Sequence, residues 1–394
     1  MTTKPKVLIS GAGIAGITLA YWLDRHGFAP TVVERAPGIR AGGYKVDIRG
    51  AALDVVRGMG VLDELRRLRT DVRSGSVVDA SGKRVASMDA DTFGGRVHDD
   101  AEVLRGDLSR VLHDLTAERA DYRFGDSIAA LQDGADGVRV TFDSGRTEVF
   151  DLVVGADGVH SRTRELTFGP QSRFVRDLGY RISIFSVPNH LGLDREELTY
   201  IGPGRTALTY STAGDSSVKA MFLFAAGERH EDGRAELREA YAGEGWEVPK
   251  LLAGLDGASD FYFDSISQVH MDRWSAGRVV LLGDAAYCAS PASGQGTSLA
   301  LVGAYVLAGE LAAAHGDHAA GFAAYEERMR PFVRRNQELG PANIKRMVMR
   351  TRGQVRMSML MLAVLGRLPG RERLMARVIE PIHRAATAIT LPAY

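Results

Sequence analysis

Three short stretches of the chain hold residue types at spacings that suit chemistry. The first is Gly11-Ala12-Gly13-Ile14-Ala15-Gly16. Here Gly11 permits a tight turn, Gly13 lets bare backbone approach a pyrophosphate, and Gly16 allows a helix to pack closely on a strand. Glu34 follows 18 residues after Gly16, where a carboxylate can accept bonds from ribose hydroxyls. The second stretch, Gly155-Ala-Asp157-Gly158-Val-His-Ser161, is an Asp-Gly turn at a strand end. The third is Gly283-Asp284-Ala-Ala286, followed by Pro291-Ala-Ser-Gly294-Gln295-Gly296-Thr297. It delivers an acid from a buried strand to a loop, then opens a long helix whose N-terminus can face an anionic or electron-rich group.

The elements that must position these residues follow from hydrophobic patterning. Val7, Leu8 and Ile9 form a continuous apolar run, as a buried parallel strand requires. A helical pattern then runs to His26 and stops at Gly27; Thr31 to Val33 makes the next strand, giving a right-handed strand–helix–strand unit. Residues 36–50 read as a long loop and residues 51–57 and 62–68 as short helices. A hairpin is expected around Ser81-Gly82, a helix over 104–117 and three β runs within 128–154, the third covering 149–154. Residues 172–270 alternate apolar and aromatic positions, which predicts an antiparallel sheet inserted into the dinucleotide fold. A buried strand returns at Val279 to Leu282, and helices complete the chain. The expected fold is α/β, with a discontinuous dinucleotide-binding domain at 1–73, 97–171 and 272–339. A sheet domain occupies 74–96 and 172–271, and helices at 340–394 bridge the two.

Composition narrows the partners. The 394 residues carry equal numbers of acids and bases, so no net basic surface exists for nucleic acid. Cys288 is the one cysteine, which excludes an intrachain disulfide and a cysteine metal cage; it reads as a small buried hydrophobe. No metal site is expected. The N-terminus enters a strand without a signal peptide, and the apolar run 357–365 is too short to span a bilayer. A cytoplasmic protein without stable membrane association is expected, as a monomer or weak homodimer. The arginines and methionines of 346–361 suit a helix packed across the domains with its arginines solvated; a position on a membrane surface is the other reading.

In this order, the three motifs resemble the class A flavoprotein monooxygenases, the family of para-hydroxybenzoate hydroxylase, and within it the compact tetracycline-inactivating and polyketide-modifying members. The resemblance implies a Rossmann-like FAD-binding domain with an inserted antiparallel-sheet substrate domain. It places residues 11–16 on the ADP pyrophosphate and Glu34, with Arg35 beside it, on the ADP ribose. Asp157 would lie near the pyrophosphate, Asp284 on the ribityl chain or ribose, and Pro291 with Gly294, Gln295, Gly296 and Thr297 along the isoalloxazine. Arg105 and Asp47 would touch the flavin and Arg40 NADPH. It further implies NADPH or NADH as a transient co-substrate and dioxygen as oxidant. A flavin C(4a)-hydroperoxide would hydroxylate a small aromatic molecule, with no catalytic protein nucleophile.

Tyr180, Arg181, Arg205, Tyr210, Phe222 and Phe224, together with Pro291, are the expected substrate wall. The chain departs from the family at Tyr287-Cys288, where histidine follows Gly-Asp-Ala-Ala, and at Gly303-Ala304, where Asp-Ala is usual. A flavin-dependent reductase or dehydrogenase without oxygen transfer, and a non-catalytic binding protein that kept the fold, remain alternatives. A halogenase would need a second tryptophan near Trp246.

Overall fold

The computed structural model describes residues 4–40, 42–97, 99–213, 216–227, 230–365 and 371–394, the side chains of 365–378 aside. Residues 366–370, within the expected C-terminal helices, lie outside the described residues.

A six-stranded sheet forms the centre, in the order Ser275–Ala276, Val279–Leu281, Leu152–Gly155, Lys6–Ser10, Ala29–Glu34 and Asp121–Phe124. All neighbours are parallel except the first pair. Each face of this sheet is covered, which explains the unbroken apolar runs. Val7, Ile9, Val32 and Val154 pack towards helices Ile14–Arg25 and Gly296–Ala313. Leu8, Val33 and Val153 pack against a small antiparallel sheet of Ile128–Gly134, Gly137–Phe142 and Thr147–Phe150. Helix Gly296–Ala313 is long and apolar enough to cross a membrane by composition, but it is core here.

The expected third β run, 149–154, is two strands. Thr147–Phe150 pairs antiparallel within the small sheet, and Leu152–Gly155 pairs parallel with Lys6–Ser10. Asp151 makes the switch, its amide donating to the Lys6 carbonyl at 2.9 Å and its carboxylate accepting from the Lys6 amide at 2.6 Å. The expected loop 36–50 also contains a strand, Lys45–Ile48, paired with Ala101–Leu104.

The inserted sheet has seven strands: Tyr262–Val269, Val175–Pro188, Ser217–Ala225, Arg205–Tyr210, Glu196–Gly202, Ser74–Val78 and Arg84–Asp89. It is antiparallel except where Glu196–Gly202 meets Ser74–Val78, which is a parallel pair. Tight hairpins force antiparallel neighbours; these two strands are far apart in sequence, and no short turn dictates their direction. Two helices that the sequence reading did not foresee, Gly233–Ala240 and Val248–Ala253, cover the outer face through Leu237, Val248 and Leu251. The inner face turns towards the central domain. Helix His318–Met347 spans both domains, burying Phe322 and Met329 in one core and Ile344 in the other.

Candidate functional site

The first turn is built by sterics. Gly11 has φ +106°, and a methyl there would approach the Ala156 carbonyl oxygen to 2.6 Å. A methyl at Gly16 would collide with the Gly11 carbonyl oxygen, so the helix can sit this close only on glycine. Gly13 differs: the nearest atom to a methyl there is Arg105 Nη2, at 4.0 Å. Gly13 therefore faces a gap spanned by a guanidinium. Helix Ile14–Arg25 starts with no side-chain cap and no acid in its first turn, so its amides stay available to an anion.

Glu34 is half-buried and already fastens this turn. Its two oxygens accept from the amides of Ala12 and Ala36, each at 2.9 Å, and further lone pairs remain for a ribose. Arg35 and Arg40 are exposed. Asp157 sits beside Gly11 by its backbone, but its carboxylate turns away. It accepts from Ser161 Oγ at 2.5 Å and from the Thr163 amide and hydroxyl at 2.9 Å. The Asp157 carboxylate expected near the pyrophosphate thus shapes the turn instead of presenting a free group.

Asp284 is open to solvent on one side and has protein packed densely around the rest, as on the floor of a cleft. Burial raises its carboxyl above the ordinary range, against the pull of a Cys288 hydrogen bond and the Arg105 charge. Pro291 and Gly294 are exposed, and Gly294 has φ +66° with nothing within 4 Å of a would-be methyl. Gln295 is fully buried, and neither its Oε1 nor its Nε2 has a partner. Half-buried Gly296 and Thr297 then open a long helix with no side-chain cap and no acid in its first turn.

Asp47 stands on strand Lys45–Ile48. Its Oδ2 accepts from Arg49 at 2.7 Å, and its buried Oδ1 has no hydrogen-bond partner. Arg49 also donates to the carbonyls of Gly94 and Gly95, and its amide donates to Ser298 Oγ at 3.3 Å, linking the strand to the long helix. Below lies a buried charge network in which Lys45 meets Glu197 at 2.6 Å and Glu102 at 3.2 Å, and Arg96 meets Glu102 at 2.5 Å.

The cleft wall on the sheet side is apolar and aromatic. Ile184, Leu208 and Tyr210 cluster with half-buried Tyr44, Met221 and Tyr262, and the rings of Tyr44 and Tyr262 lie 6.1 Å apart. Burial pushes both of these phenols up, so they stay neutral. The expected wall residues divide by strand alternation. Tyr210 belongs to this cluster; its hydroxyl accepts from the Lys45 amide at 3.1 Å, with Lys45 Nζ 4.9 Å from the ring centre. Tyr180 shares the inner face but packs under the long helix with Ile344 and Val348. Phe222 and Phe224 face the opposite way, against Tyr241 beneath the covering helices. Arg181 and Arg205 follow them outward, to Glu236 and Glu244.

Tyr44, Met221 and Tyr262 were not foreseen. Met221 and Tyr262 belong to the apolar and aromatic alternation of 172–270 that predicts the inserted sheet, but neither is among the expected wall residues. Tyr44 lies in the segment read as a loop, and its place three residues before Asp47 is the available signal.

The departures at Tyr287 and Gly303 explain each other. The Tyr287 ring is buried with Trp274 and Tyr325, and its hydroxyl fills the space where a Gly303 methyl would sit. Cys288 is buried, its thiol pushed well up by burial, and its Sγ lies 3.6 Å from the Ser267 carbonyl.

A bare-amide turn facing Arg105, together with a second glycine loop facing an aromatic wall, defines a dinucleotide-binding flavoprotein fold. Residues 4–339 match the family described as FAD binding domain. A flavin-dependent monooxygenase of Legionella longbeachae is 40% identical over 346 residues, covering 86% of this chain and 89% of the relative. An uncharacterized protein of Mycobacterium tuberculosis is 47% identical, covering 86% and 93%. Among solved structures, tetracycline destructase Tet(51) superposes with a TM-score of 0.87 at 36% identity, covering 99% of this chain and all of that one. Klebsiella pneumoniae HpxO, complexed with FAD and uric acid, shares the fold with a TM-score of 0.77 at 24% identity. The chain belongs to the class A FAD-dependent monooxygenases.

The residues fit FAD. The Gly13–Arg105 gap suits a diphosphate, and the unpartnered polar atoms of Gln295 beside the open Gly294 loop suit a heterocycle with donors and acceptors on its edge.

Proposed function

We propose that the enzyme consumes NADPH or NADH and inserts one atom of dioxygen into a planar, aromatic or polyketide-like small molecule. The observation that carries this reading is the neutral aromatic and aliphatic wall of Tyr44, Tyr262, Ile184, Leu208 and Met221, which turns to the central domain. Such a wall binds planar apolar rings and excludes water, as a reactive oxygenating species requires. The name of one similar solved structure, a tetracycline destructase, supports a polycyclic class, and that of a Sarocladium schorii relative at 34% identity, an FAD-dependent monooxygenase, supports oxygen insertion.

Bound FAD supplies hydride acceptance and dioxygen activation. The chain's own residues do the rest. The amides after Gly13 and the Arg105 guanidinium hold the diphosphate. Asp284, its carboxyl raised by burial, faces the cleft as a hydrogen-bonding group for sugar-chain hydroxyls. The uncapped N-terminus at Gly296 would stabilise negative charge on a ring bound against it.

The test uses the purified yellow protein, a panel of phenolic polycycles, each nicotinamide cofactor and isotopically heavy dioxygen. The expected result is compound-stimulated NAD(P)H oxidation with one heavy oxygen atom in the product. Oxidation without incorporation identifies a reductase, and no turnover with any compound identifies a binding protein; either result overturns the proposal.

A further inference from the structure

Helix Arg352–Leu365 is half used. It lies along strands Arg84–Asp89 and Glu196–Gly202, with Val355, Ser358, Met359 and Leu362 on its half-buried side. Its other side is open and apolar: Met357 is 59% exposed, Leu360 61%, Met361 56% and Val364 47%. These four recur at the three- and four-residue spacing of one helix face. Isolated exposed apolar side chains are ordinary on a protein surface, whereas a contiguous stripe marks an interaction site.

Charge identifies the partner. Arg352 and Arg356 stand eight and four residues before Leu360, on the same row of the helix. Lys345, Arg346 and Arg350 precede them, all exposed. Elsewhere on the surface arginines such as Arg57, Arg66, Arg84, Arg162 and Arg238 are tied to acids. Among the described residues Lys345, Arg346, Arg350, Arg352 and Arg356 have no acidic partner; the Arg350 guanidinium lies over the Tyr180 ring, 5.7 Å from its centre. Residues 345–384 hold ten Lys or Arg and two Asp or Glu, in a chain of zero net charge. A soluble polyanion would use the cations and leave the methionines and leucine exposed. A second copy of this chain would bring its own cations against these. An anionic lipid surface satisfies both features: phosphate headgroups meet the arginines, and the apolar side chains enter the acyl boundary.

We propose that this face of the enzyme docks reversibly on anionic lipid bilayers, with Arg352 and Arg356 on headgroups and Met357, Leu360, Met361 and Val364 inserted. The contact is peripheral, since the helix is too short to span and its opposite side is held by the sheet. None of these residues belongs to the flavin or substrate cleft, so the inference stands apart from the proposed function.

Flotation of the flavin-loaded protein with vesicles tests it. Phosphatidylglycerol mixed with phosphatidylcholine is compared with phosphatidylcholine alone. Wild type is expected to float with the anionic vesicles, less as salt rises, and to stay behind with the neutral ones. Removing each arginine (R352A, R356A) should weaken partitioning about five-fold, and the double change L360S/M361S by more than about ten-fold. All variants should keep their yellow colour and melting temperature. Several results each overturn the proposal: wild type that stays behind with both vesicles, equal flotation with both, variants that float as wild type does, binding to soluble polyphosphate as tight as to vesicles, or a concentration-dependent dimer abolished by L360S/M361S.

Discussion

At the scale of single residues, the glycines of the first turn carry distinct loads, and the structure separates them. Gly16 is needed for packing and Gly13 for access. Gly16→Ala pushes a methyl onto the Gly11 carbonyl and should cost about 1–3 kcal/mol of stability, read from a denaturant midpoint. Gly13→Val places its Cβ 4.0 Å from Arg105 Nη2 and should cost less stability than Gly16→Ala. Its effect should be FAD retention weakened about ten-fold or more, the loss of one amide–phosphate bond. Equal effects of the two changes on both measurements would contradict this division. Cys288 is the third case. Burial keeps its thiol protonated and covered, so a thiol reagent should label it only after unfolding; rapid labelling of the native protein would place it at the cleft instead.

At the scale of elements, pairs of residues on different segments hold the site together. The Tyr287 hydroxyl and the Gly303 helix are one such pair. Gly303→Ala should destabilise by about 1–3 kcal/mol, and most of this should vanish in Tyr287→Phe, which removes the colliding oxygen. Additive penalties in that double-mutant cycle would mean the two positions are independent.

His160 forms a second pair, joining the turn after strand Leu152–Gly155 to strand Tyr262–Val269. Its Nε2 lies 3.2 Å from Asp264 and its Nδ1 3.1 Å from Gln171. The Asp264 hydrogen bond raises the imidazole above its ordinary 6.5, against burial and the charge of Arg164. Burial works against the Asp264 carboxylate, yet His160 holds it below its ordinary 3.8. The imidazolium contribution is complete below 6.5 and is lost as pH rises through the raised value. The carboxylate contribution is present above 3.8 and is lost as pH falls through the lowered one. The clamp is therefore strongest between 3.8 and 6.5. His160→Gln should lower the melting temperature most within that window and progressively less above it; a difference independent of pH would exclude the clamp.

At the scale of the whole molecule, residues 392–394 clasp helix Gly296–Ala313. Tyr394 donates to Glu310 at 2.6 Å, Tyr305 donates to the Pro392 carbonyl at 2.6 Å, and the Tyr394 ring occupies the notch left by Gly309. A space of about 800 Å³ lined by Trp22, Val55, Tyr305 and Leu391 remains in the groove, so the tail is held through a few contacts. Gly309→Ala gives this clasp a sign. With the tail docked, the methyl strikes the tyrosine ring and stability falls by about 1–3 kcal/mol. With the tail free, alanine's better helix propensity raises stability by about 1 kcal/mol. The shift of the denaturant midpoint distinguishes the two.

The dinucleotide turn was legible in residues alone because its constraints are local: one positive φ, one close approach and one open side each demand glycine, whatever the rest of the chain does. The central strands were legible for a similar reason, since continuous Val, Leu and Ile runs have no other soluble home than a sheet covered on both faces. The substrate wall was not. Alternation in 217–225 sorts Met221 and Leu223 from Phe222 and Phe224, but both sets are apolar because unforeseen helices bury the outer face. Without a polar side the period cannot say which set fronts the cleft, and the aromatic pair expected there lies on the other face. The carboxylates of Glu34 and Asp157 show the same limit. Their positions follow from chain spacing, but the direction in which each oxygen points depends on amides and hydroxyls that only the folded turns bring within reach.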